Sequence, residues 1–185
     1  MLKAIFLDRD GTINEEVNYL YEIEKFAFIP GVPEALAQLK KAGYLLLVVT
    51  NQAGIARGYY TESDVQLLHS YINQCLFKQS VQIDRFYYCP HHPQGKGKYK
   101  KECLCRKPNV GMLERACTDF FIDRKKSFLI GDNQGDILAA KNFGIPSILV
   151  RTGHGKSVEK QLEKDYLYCA ENLAEAVEWI LAKEK

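Results

Sequence analysis

The chain has 185 residues, of which 46% are hydrophobic and 26% charged, and its net charge at pH 7 is +2. This is the balance of an ordinary soluble globular protein, and the length suits a single domain over residues 1–185. The small net charge predicts neither nucleic-acid nor membrane binding, and no apolar run approaches the length of a bilayer. With no signal-peptide pattern and no long coiled-coil pattern, we expect a cytoplasmic monomer whose six cysteines are reduced.

The first predicted strand ends in two aspartates. Residues 4–7 are apolar and precede a charged turn, which is typical of a short buried strand. Alternate residues of an extended backbone point to the same side, so we expect Asp8 and Asp10 to project together from the strand's carboxyl end. Carboxylates that close repel each other unless a cation lies between them, and a hard ion such as Mg²⁺ would relieve the repulsion. The alternative is a solvated, Asp-rich turn.

Extended and helical patterns alternate along the rest of the chain. An irregular stretch, residues 12–29, is predicted to form a flap over the first strand end, and residues 54–58 a glycine-bounded loop. Further strands are predicted at residues 44–49, 83–88, 127–130 and 146–150. Helices are predicted at residues 33–43, from a capping box at Thr61 to residue 76, and at residues 110–121, 137–143 and 172–183. The alternation predicts an α/β fold with a doubly wound, mainly parallel sheet and helices on both faces.

Polar side chains follow several of these strands, at the edge where parallel strands end and ligands bind. They are Asp8, Asp10, Thr50, Asn51, Arg106, Lys107 and Asp132, with Asp136 one helical turn further on. Together they suit phosphoryl transfer, in which acids hold Mg²⁺, Thr50 and Asn51 donate hydrogen bonds to phosphate oxygens, and Lys107 offsets negative charge. Asp8 is then the candidate nucleophile, forming an aspartyl-phosphate, and Asp10 the candidate general acid and base. Taken singly, each could be an ordinary strand terminus or a solvated charge.

Residues 89–107 form a long predicted loop with no hydrophobic period, so something other than apolar burial has to hold it. Cys89, Cys103 and Cys105, with His91 or His92, provide the donors of a closed tetrahedral zinc site. The alternative is a set of free thiols near a strand end.

The lysines of this loop are either a solvated surface or a charge that attracts an anionic substrate. They are Lys96, Lys98, Lys100 and Lys101.

Several motifs resemble those of the haloacid-dehalogenase superfamily of phosphatases, in the same order, from the first residues to about residue 150. They are Asp8-Arg9-Asp10-Gly11-Thr12, Thr50-Asn51-Gln52, Lys107 and Gly131-Asp132. More narrowly, residues 8–14, 50–58, 89–95 and 103–108 resemble the D-glycero-D-manno-heptose 1,7-bisphosphate phosphatase family. The histidinol-phosphate phosphatase family has similar motifs.

The resemblance implies a Rossmann-like fold and a Mg²⁺-dependent aspartyl-phosphate mechanism. It implies removal of the C7 phosphate of the heptose bisphosphate, on the route to ADP- or GDP-heptose for lipopolysaccharide or surface glycans. Asp8 is then the nucleophile and Asp10 the acid/base, while Asp8, the Asp10 backbone and Asp132 hold Mg²⁺. Thr50 and Lys107 steady the phosphoryl group, and Arg106 recognises the substrate. Further substrate-contact positions are Glu16, Val17, Asn18, Tyr19, Asn51, Gln52 and Ala53, and the implied zinc ligands are Cys89, His91, Cys103 and Cys105.

One position departs from the family pattern. Asn133 follows the last metal-binding aspartate, where the family usually has lysine or arginine. A neutral amide donates a hydrogen bond but does not neutralise phosphate, so we expect weaker phosphate attraction there.

Two other functions remain open: histidinol-phosphate hydrolysis, and nucleic-acid binding by a zinc-stabilised, lysine-rich loop. The second lacks a stacking surface among its basic residues and leaves the clustered acids unexplained.

Overall fold

The computed structural model describes residues 1–162 and 165–184, and six strands within them form one parallel sheet. The strands are β1 (Ala4–Leu7), β2 (Leu45–Asn51), β3 (Arg85–Cys89), β4 (Phe128–Gly131), β5 (Ser147–Val150) and β6 (Tyr168–Ala170). Their order across the sheet is β3-β2-β1-β4-β5-β6, and each neighbouring pair is parallel. The direction of winding therefore reverses between β1 and β4, and ligands of such sheets bind beyond the carboxyl ends of the strands at that reversal.

Helices cover both faces of the sheet. They are α1 (Val32–Lys41), α2 (Ala53–Arg57), α3 (Glu62–Phe77), α4 (Gly111–Asp119), α5 (Gln134–Phe143), α6 (Gly155–Glu159) and α7 (Leu173–Ala182). Alternate residues of β1 enter two different cores, since Ile5 and Leu7 pack in one and Ala4 and Phe6 in the other. The first core also takes the buried faces of α1, α3 and α7, and the second those of α4 and α5. The predicted doubly wound α/β fold is thus confirmed.

Two helix starts show how local sequence fixes the backbone. Thr61 and Asp64 form the predicted capping box at the start of α3. Asn133 and Asp136 form a second one at the start of α5, where the Asn133 amide donates to Asp136 Oδ2 at 3.0 Å. Because the cap occupies Oδ2, Asp136 Oδ1 is left to face the neighbouring loop.

Several boundaries differ from those predicted. Residues 54–58 are not a loop, because Ala53–Arg57 form one helical turn ended by Gly58 at φ 79°. Five residues are too few to show a helical period, and the glycines at each end suggested a loop. The short elements β6 and α6 were not predicted for the same reason, and α5 begins at Gln134, in a polar first turn.

Residues 12–29 are largely irregular, as predicted, with one short 3₁₀ turn at Ile23–Lys25. An isolated bridge pairs Asn14 with Phe28 and joins the two ends of this segment. Within the described ranges, no helix combines the length and the apolar character that crossing a membrane requires.

Candidate active site

A cavity of about 290 Å³ lies beyond the carboxyl ends of β1, β2 and β4. Among the predicted residues it brings together Asp8, Asp10, Glu16, Thr50, Asn51, Arg106, Lys107 and Asp132. It also takes in Asn133, Asp136 and His154. Asp136 was expected near this edge from its position one helical turn after Asp132, whereas no sequence motif includes His154.

Lys107 is the buried cation of this cavity. Its ammonium nitrogen lies 2.9 Å from Asp8 Oδ1 and 2.5 Å from Asp136 Oδ1, and it donates to the Val49 carbonyl at 2.7 Å. Burial works to lower the pKa of Lys107, but the charges of Asp136 and Asp8 outweigh it and raise that pKa above its ordinary value. The side chain therefore stays charged and joins the ends of two strands to the long loop.

Three carboxylates converge beside Lys107. Ligand oxygens of Asp8, Asp132 and Asp136 all lie within 4.8 Å of one another. Burial first, and then the charge of Asp8, raises the pKa of both Asp132 and Asp136 above the ordinary range of aspartate. One lysine cannot balance three acids, and clustered hard oxygen ligands are the donor set that Mg²⁺ prefers. The arrangement therefore fits a bound divalent cation.

Glycines make room for Asp132. Gly11 (φ 76°) and Gly153 (φ 53°) adopt left-handed backbone, and a Cβ at either would collide with the Asp132 carboxylate. The His154 amide donates to Asp132 Oδ2 at 2.7 Å, and the Thr152 hydroxyl donates to the Gly11 carbonyl at 2.6 Å. The loop after β5 is thus fastened to the loop after β1, and Asp132 is fixed between them.

Asp10 is oriented differently from the other acids. Its oxygens accept from Arg9 Nη2 at 2.9 Å, from Asn14 Nδ2 at 3.0 Å and from Gln52 Nε2 at 3.0 Å. Its carboxylate lines the cavity but does not join the cluster of Asp8, Asp132 and Asp136. Asp8 and Asp10 therefore reach one cavity, as predicted, but their carboxylates have different partners.

The residues at the carboxyl end of β2 and directly after it mainly organise the site. Asn51 accepts from the Lys107 amide at 3.0 Å and donates to the Lys107 carbonyl at 3.1 Å, so its amide holds the lysine backbone. Thr50 Oγ1 accepts from Gln52 Nε2 at 2.9 Å, which leaves its hydroxyl hydrogen free to donate into the cavity. Gln52, which is 2% exposed, and Ala53, which begins α2, do not line the cavity, although both were predicted substrate-contact positions.

The predicted flap residues divide into two groups. Glu16 reaches the cavity, where burial and then Asp10 raise its pKa, and its Oε2 lies 3.9 Å from Nε2 of His154. Val17, Asn18 and Tyr19 line a separate surface depression with Tyr59. Asn18 and Tyr19 also have left-handed backbone, with φ 53° and 57°. These three are not brought to the cavity itself.

The four predicted zinc ligands lie together. The Cys89, Cys103 and Cys105 sulfurs are 3.1 to 3.4 Å apart, and His91 Nδ1 is 3.4 Å from Cys105 Sγ and 3.8 Å from Cys89 Sγ. All three cysteines are free thiols. Tetrahedral zinc with bonds of about 2.3 Å to sulfur separates its sulfur ligands by about 3.8 Å, so the donor set fits the ion after a small outward shift of the three thiols. The hydrogen bond between Cys105 and Cys89 lowers the pKa of Cys105 and raises the pKa of Cys89, so it favours a zinc-binding thiolate at Cys105 alone.

Known proteins share both the fold and the sequence. Residues 104–176 match the family model described as HAD-hydrolase-like. The chain is 47% identical, over 95% of its own length and 95% of the relative's, to D-glycero-beta-D-manno-heptose-1,7-bisphosphate 7-phosphatase of Pasteurella multocida. The chain belongs to the heptose-1,7-bisphosphate 7-phosphatase family of HAD-like hydrolases. The resemblance stated from its motifs is thus confirmed.

Other members of this heptose-1,7-bisphosphate 7-phosphatase family differ in the anomer that they are named for. The D-glycero-alpha-D-manno-heptose-1,7-bisphosphate 7-phosphatase of Photorhabdus laumondii is 46% identical over 84% of the chain and 86% of the relative.

A solved D,D-heptose 1,7-bisphosphate phosphatase from B. bronchiseptica, complexed with magnesium and phosphate, superposes with a TM-score of 0.89. It is 30% identical, and the match covers 98% of this chain and 99% of that one. These relatives do not favour the histidinol-phosphate alternative.

Proposed function

We propose that this protein is a Mg²⁺-dependent phosphatase that removes the C7 phosphate of D-glycero-D-manno-heptose 1,7-bisphosphate. The observation that carries the proposal is the bridge made by Lys107, whose ammonium lies 2.9 Å from Asp8 and 2.5 Å from Asp136 in one cavity. Lys107, the phosphate-binding cation, thus links the candidate nucleophile Asp8 to Asp136 of the acid cluster. The 47% identical relative supports the choice of sugar. Its product would serve ADP- or GDP-heptose synthesis for lipopolysaccharide or surface glycans.

Mg²⁺ would be held by Asp8, Asp132 and the Asp10 backbone, with Asp136 close by. Bound there, it supplies positive charge that offsets the negative charge of the phosphoryl oxygens. Asp136 is also ion-paired with Lys107, so it has a second role in holding that lysine. The magnesium-bound structure of the B. bronchiseptica relative supports this assignment.

Asp8 carries out the covalent step. Both contacts to its carboxylate, from the Arg9 amide at 2.8 Å and from Lys107 at 2.9 Å, go to Oδ1. Oδ2 therefore forms the new bond to phosphorus, while the bond from phosphorus to the C7 oxygen of the sugar breaks. Asp10 gives its proton to that departing oxygen.

Hydrolysis then returns the enzyme to its starting state. Asp10 takes a proton from a water molecule, and the water oxygen attacks phosphorus. The bond from phosphorus to Asp8 breaks, which releases inorganic phosphate and the free carboxylate. Thr50 steadies the phosphoryl group through both steps by donating its hydroxyl hydrogen. Lys107, whose ammonium already contacts Asp8, Asp136 and the Val49 carbonyl, stabilises the phosphoryl group through its positive charge.

Arg106 is proposed to recognise the rest of the substrate. It lines the cavity, and among the described residues its guanidinium has one hydrogen bond, from Nη1 to the His91 carbonyl at 3.4 Å. Its guanidinium is thus available to an anionic substrate. Asn133 is exposed at the cavity and caps the start of α5. It stands where the family usually has a lysine or arginine.

We assign a structural zinc ion to Cys89, His91, Cys103 and Cys105. Four protein ligands close the coordination shell, so this site leaves no position for substrate. The sequence predictions of a cytoplasmic monomer that binds no nucleic acid stay predictions. Metal analysis of the protein purified under reducing conditions tests the zinc assignment, which requires one zinc per chain.

The test of the function is a phosphate-release assay. The heptose bisphosphate, as each anomer, and histidinol phosphate are compared with Mg²⁺ and with a chelator. We expect one phosphate per bisphosphate molecule, released only with Mg²⁺, and little release from histidinol phosphate. Preferred turnover of histidinol phosphate would refute the choice of substrate, and equal release in chelator would refute the role of the metal.

A further inference from the structure

His69 is a polar side chain in the buried apolar stripe of α3. It shares that stripe with Val65, Leu68 and Ile72 and is only 5% exposed. Its ring stacks on Phe86, with centroids 4.2 Å apart and planes at 15°. It does not line the cavity that holds Asp8, and nothing in the proposed reaction uses it. A buried imidazole in an apolar stripe needs a polar partner.

That partner is Arg9, which is fully buried. Arg9 Nη1 lies 3.4 Å from His69 Nε2, the only hydrogen-bond partner of Nη1 among the described residues. A guanidinium has five N–H donors and no acceptor, so His69 Nε2 has to accept and the imidazole proton has to lie on Nδ1. Burial, and then the charge of Arg9, hold the pKa of His69 well below its ordinary value, in keeping with a neutral ring.

The other nitrogens of Arg9 hold Asp10. Nη2 lies 2.9 Å from both oxygens of that carboxylate, and Nε lies 3.1 Å from Oδ1. Nη2 also donates to the Leu20 carbonyl at 3.0 Å. The guanidinium is planar and rigid, so contacts at Nη1 and Nη2 together fix its orientation. Turning it away from His69 would leave a donor of the fully buried Arg9 unpaired, which is unfavourable.

We propose that His69 is a positioning residue that fixes the Asp10 carboxylate through the guanidinium of Arg9. The inference rests on the proposed function, in which Asp10 exchanges a proton with the leaving oxygen and then with water. Because His69 lies outside the cavity, its loss changes the rate of the chemical step and not the binding of substrate. His69 on α3 contacts Arg9, and Arg9, in the loop after β1, contacts the Asp10 carboxylate that exchanges the proton.

Three variants separate positioning from packing. His69→Leu keeps bulk but removes the acceptor, His69→Gln keeps an acceptor of similar reach, and Phe86→Leu removes the stacking partner alone. General acid–base catalysis contributes roughly 10²–10⁴ in rate, so a misplaced Asp10 in His69→Leu should lower kcat about tenfold. We expect KM to stay within about twofold, His69→Gln to recover most of kcat, and Phe86→Leu to lower Tm while kcat stays within about twofold.

The proposed function and the positioning role fail in different ways. A wild-type protein that releases no phosphate from the bisphosphate overturns the function. An active wild-type protein, an inactive Asp10→Asn variant and an unchanged kcat in His69→Leu overturn the positioning role alone. Nitrogen-15 NMR of the imidazole tests the contact between Arg9 and His69 independently of any activity assay. A proton on Nδ1 with a bare Nε2 is expected, and a proton on Nε2 would overturn the inference even if His69→Leu failed to fold.

Discussion

The carboxylate cluster and the cysteine–histidine cluster differ in what holds them in place. Asp8 and Asp132 directly follow β1 and β4, the two strands at the centre of the sheet. Cys89 ends β3, whereas Cys103 and Cys105 belong to a loop in which Gly95 is the only buried residue between positions 90 and 106. The first cluster is therefore positioned by an apolar core that exists without metal, whereas the second has to supply the order of its own loop. Removing metal should thus stop the reaction at one site and loosen the chain at the other.

The largest expected effect separates the chemistry from the fold. Asp8→Asn keeps the size of the side chain but removes the nucleophilic carboxylate, so kcat should fall at least about 10⁴-fold. Tm should stay the same or rise, because one member of a repelling acid cluster becomes neutral. Steady-state kinetics and a thermal melt measure both. Activity within about tenfold of the wild-type value would show that another residue attacks phosphorus.

Lys107 joins the two regions, since it follows the cysteine loop and lies among the acids. Lys107→Met leaves Asp8 and Asp136 without their cation, and breaking such a buried pair costs about 3–5 kcal/mol of unfolding free energy. Loss of its charge should also lower kcat by about 10²-fold.

Denaturant titrations of Lys107→Met with and without Mg²⁺ measure how far the metal shares the acid cluster with Lys107. The loss of stability should be larger without the metal, because Mg²⁺ also offsets the charge of the acids. Equal losses in the two conditions would show that the metal does not share the site with Lys107.

A smaller effect on activity is expected at the cysteine cluster. Cys105→Ser weakens one zinc ligand, so hydrogen exchange in residues 90–106 should rise while the amides of β1 and β4 stay protected. Because Arg106 ends this loop and Lys107 follows it, we also expect kcat/KM to fall about tenfold. The matched control is Cys117→Ser, on α4 outside the cluster. Unchanged exchange in Cys105→Ser, or an equal change in the control, would contradict the structural role.

Much of this comparison could be predicted from sequence, because the patterns involved are local. Apolar runs ending in Asp8, Thr50 and Asp132 predict strand ends, and parallel strands bring such ends together. The spacing of thiols and imidazole around a loop without apolar residues similarly predicts the second cluster. These arguments need only the direction of the strands and the chemistry of the side chains.

The partners of individual side chains could not be predicted in the same way. Asn51 holds the Lys107 backbone, and Asp10 turns toward Arg9, because segments distant in sequence pack against each other there. The single turn of α2 was missed because it is shorter than two helical periods. Side-chain geometry of this kind depends on the assembled core, and no local pattern encodes it.

The smallest expected effect is a pH dependence at His69, whose neighbours include Arg9 and Tyr88. Its pKa in the folded state lies below the ordinary value of 6.5, so the unfolded chain binds the proton more tightly. Stability present above about pH 6.5 is therefore lost as the pH falls, by up to about 1.4 kcal/mol per unit. His69→Gln should flatten the curve of unfolding free energy between about pH 7 and 5. Parallel curves for variant and wild type would show that His69 does not titrate differently on folding.

The most direct test of the account is a rapid-quench experiment with the heptose bisphosphate and Mg²⁺, followed by mass spectrometry of the peptide that contains Asp8. The account predicts an added phosphoryl group on Asp8 during turnover, absent when Mg²⁺ is chelated and absent in Asp8→Asn. Turnover without any phosphorylated Asp8, or a phosphoryl group on a different residue, would contradict it.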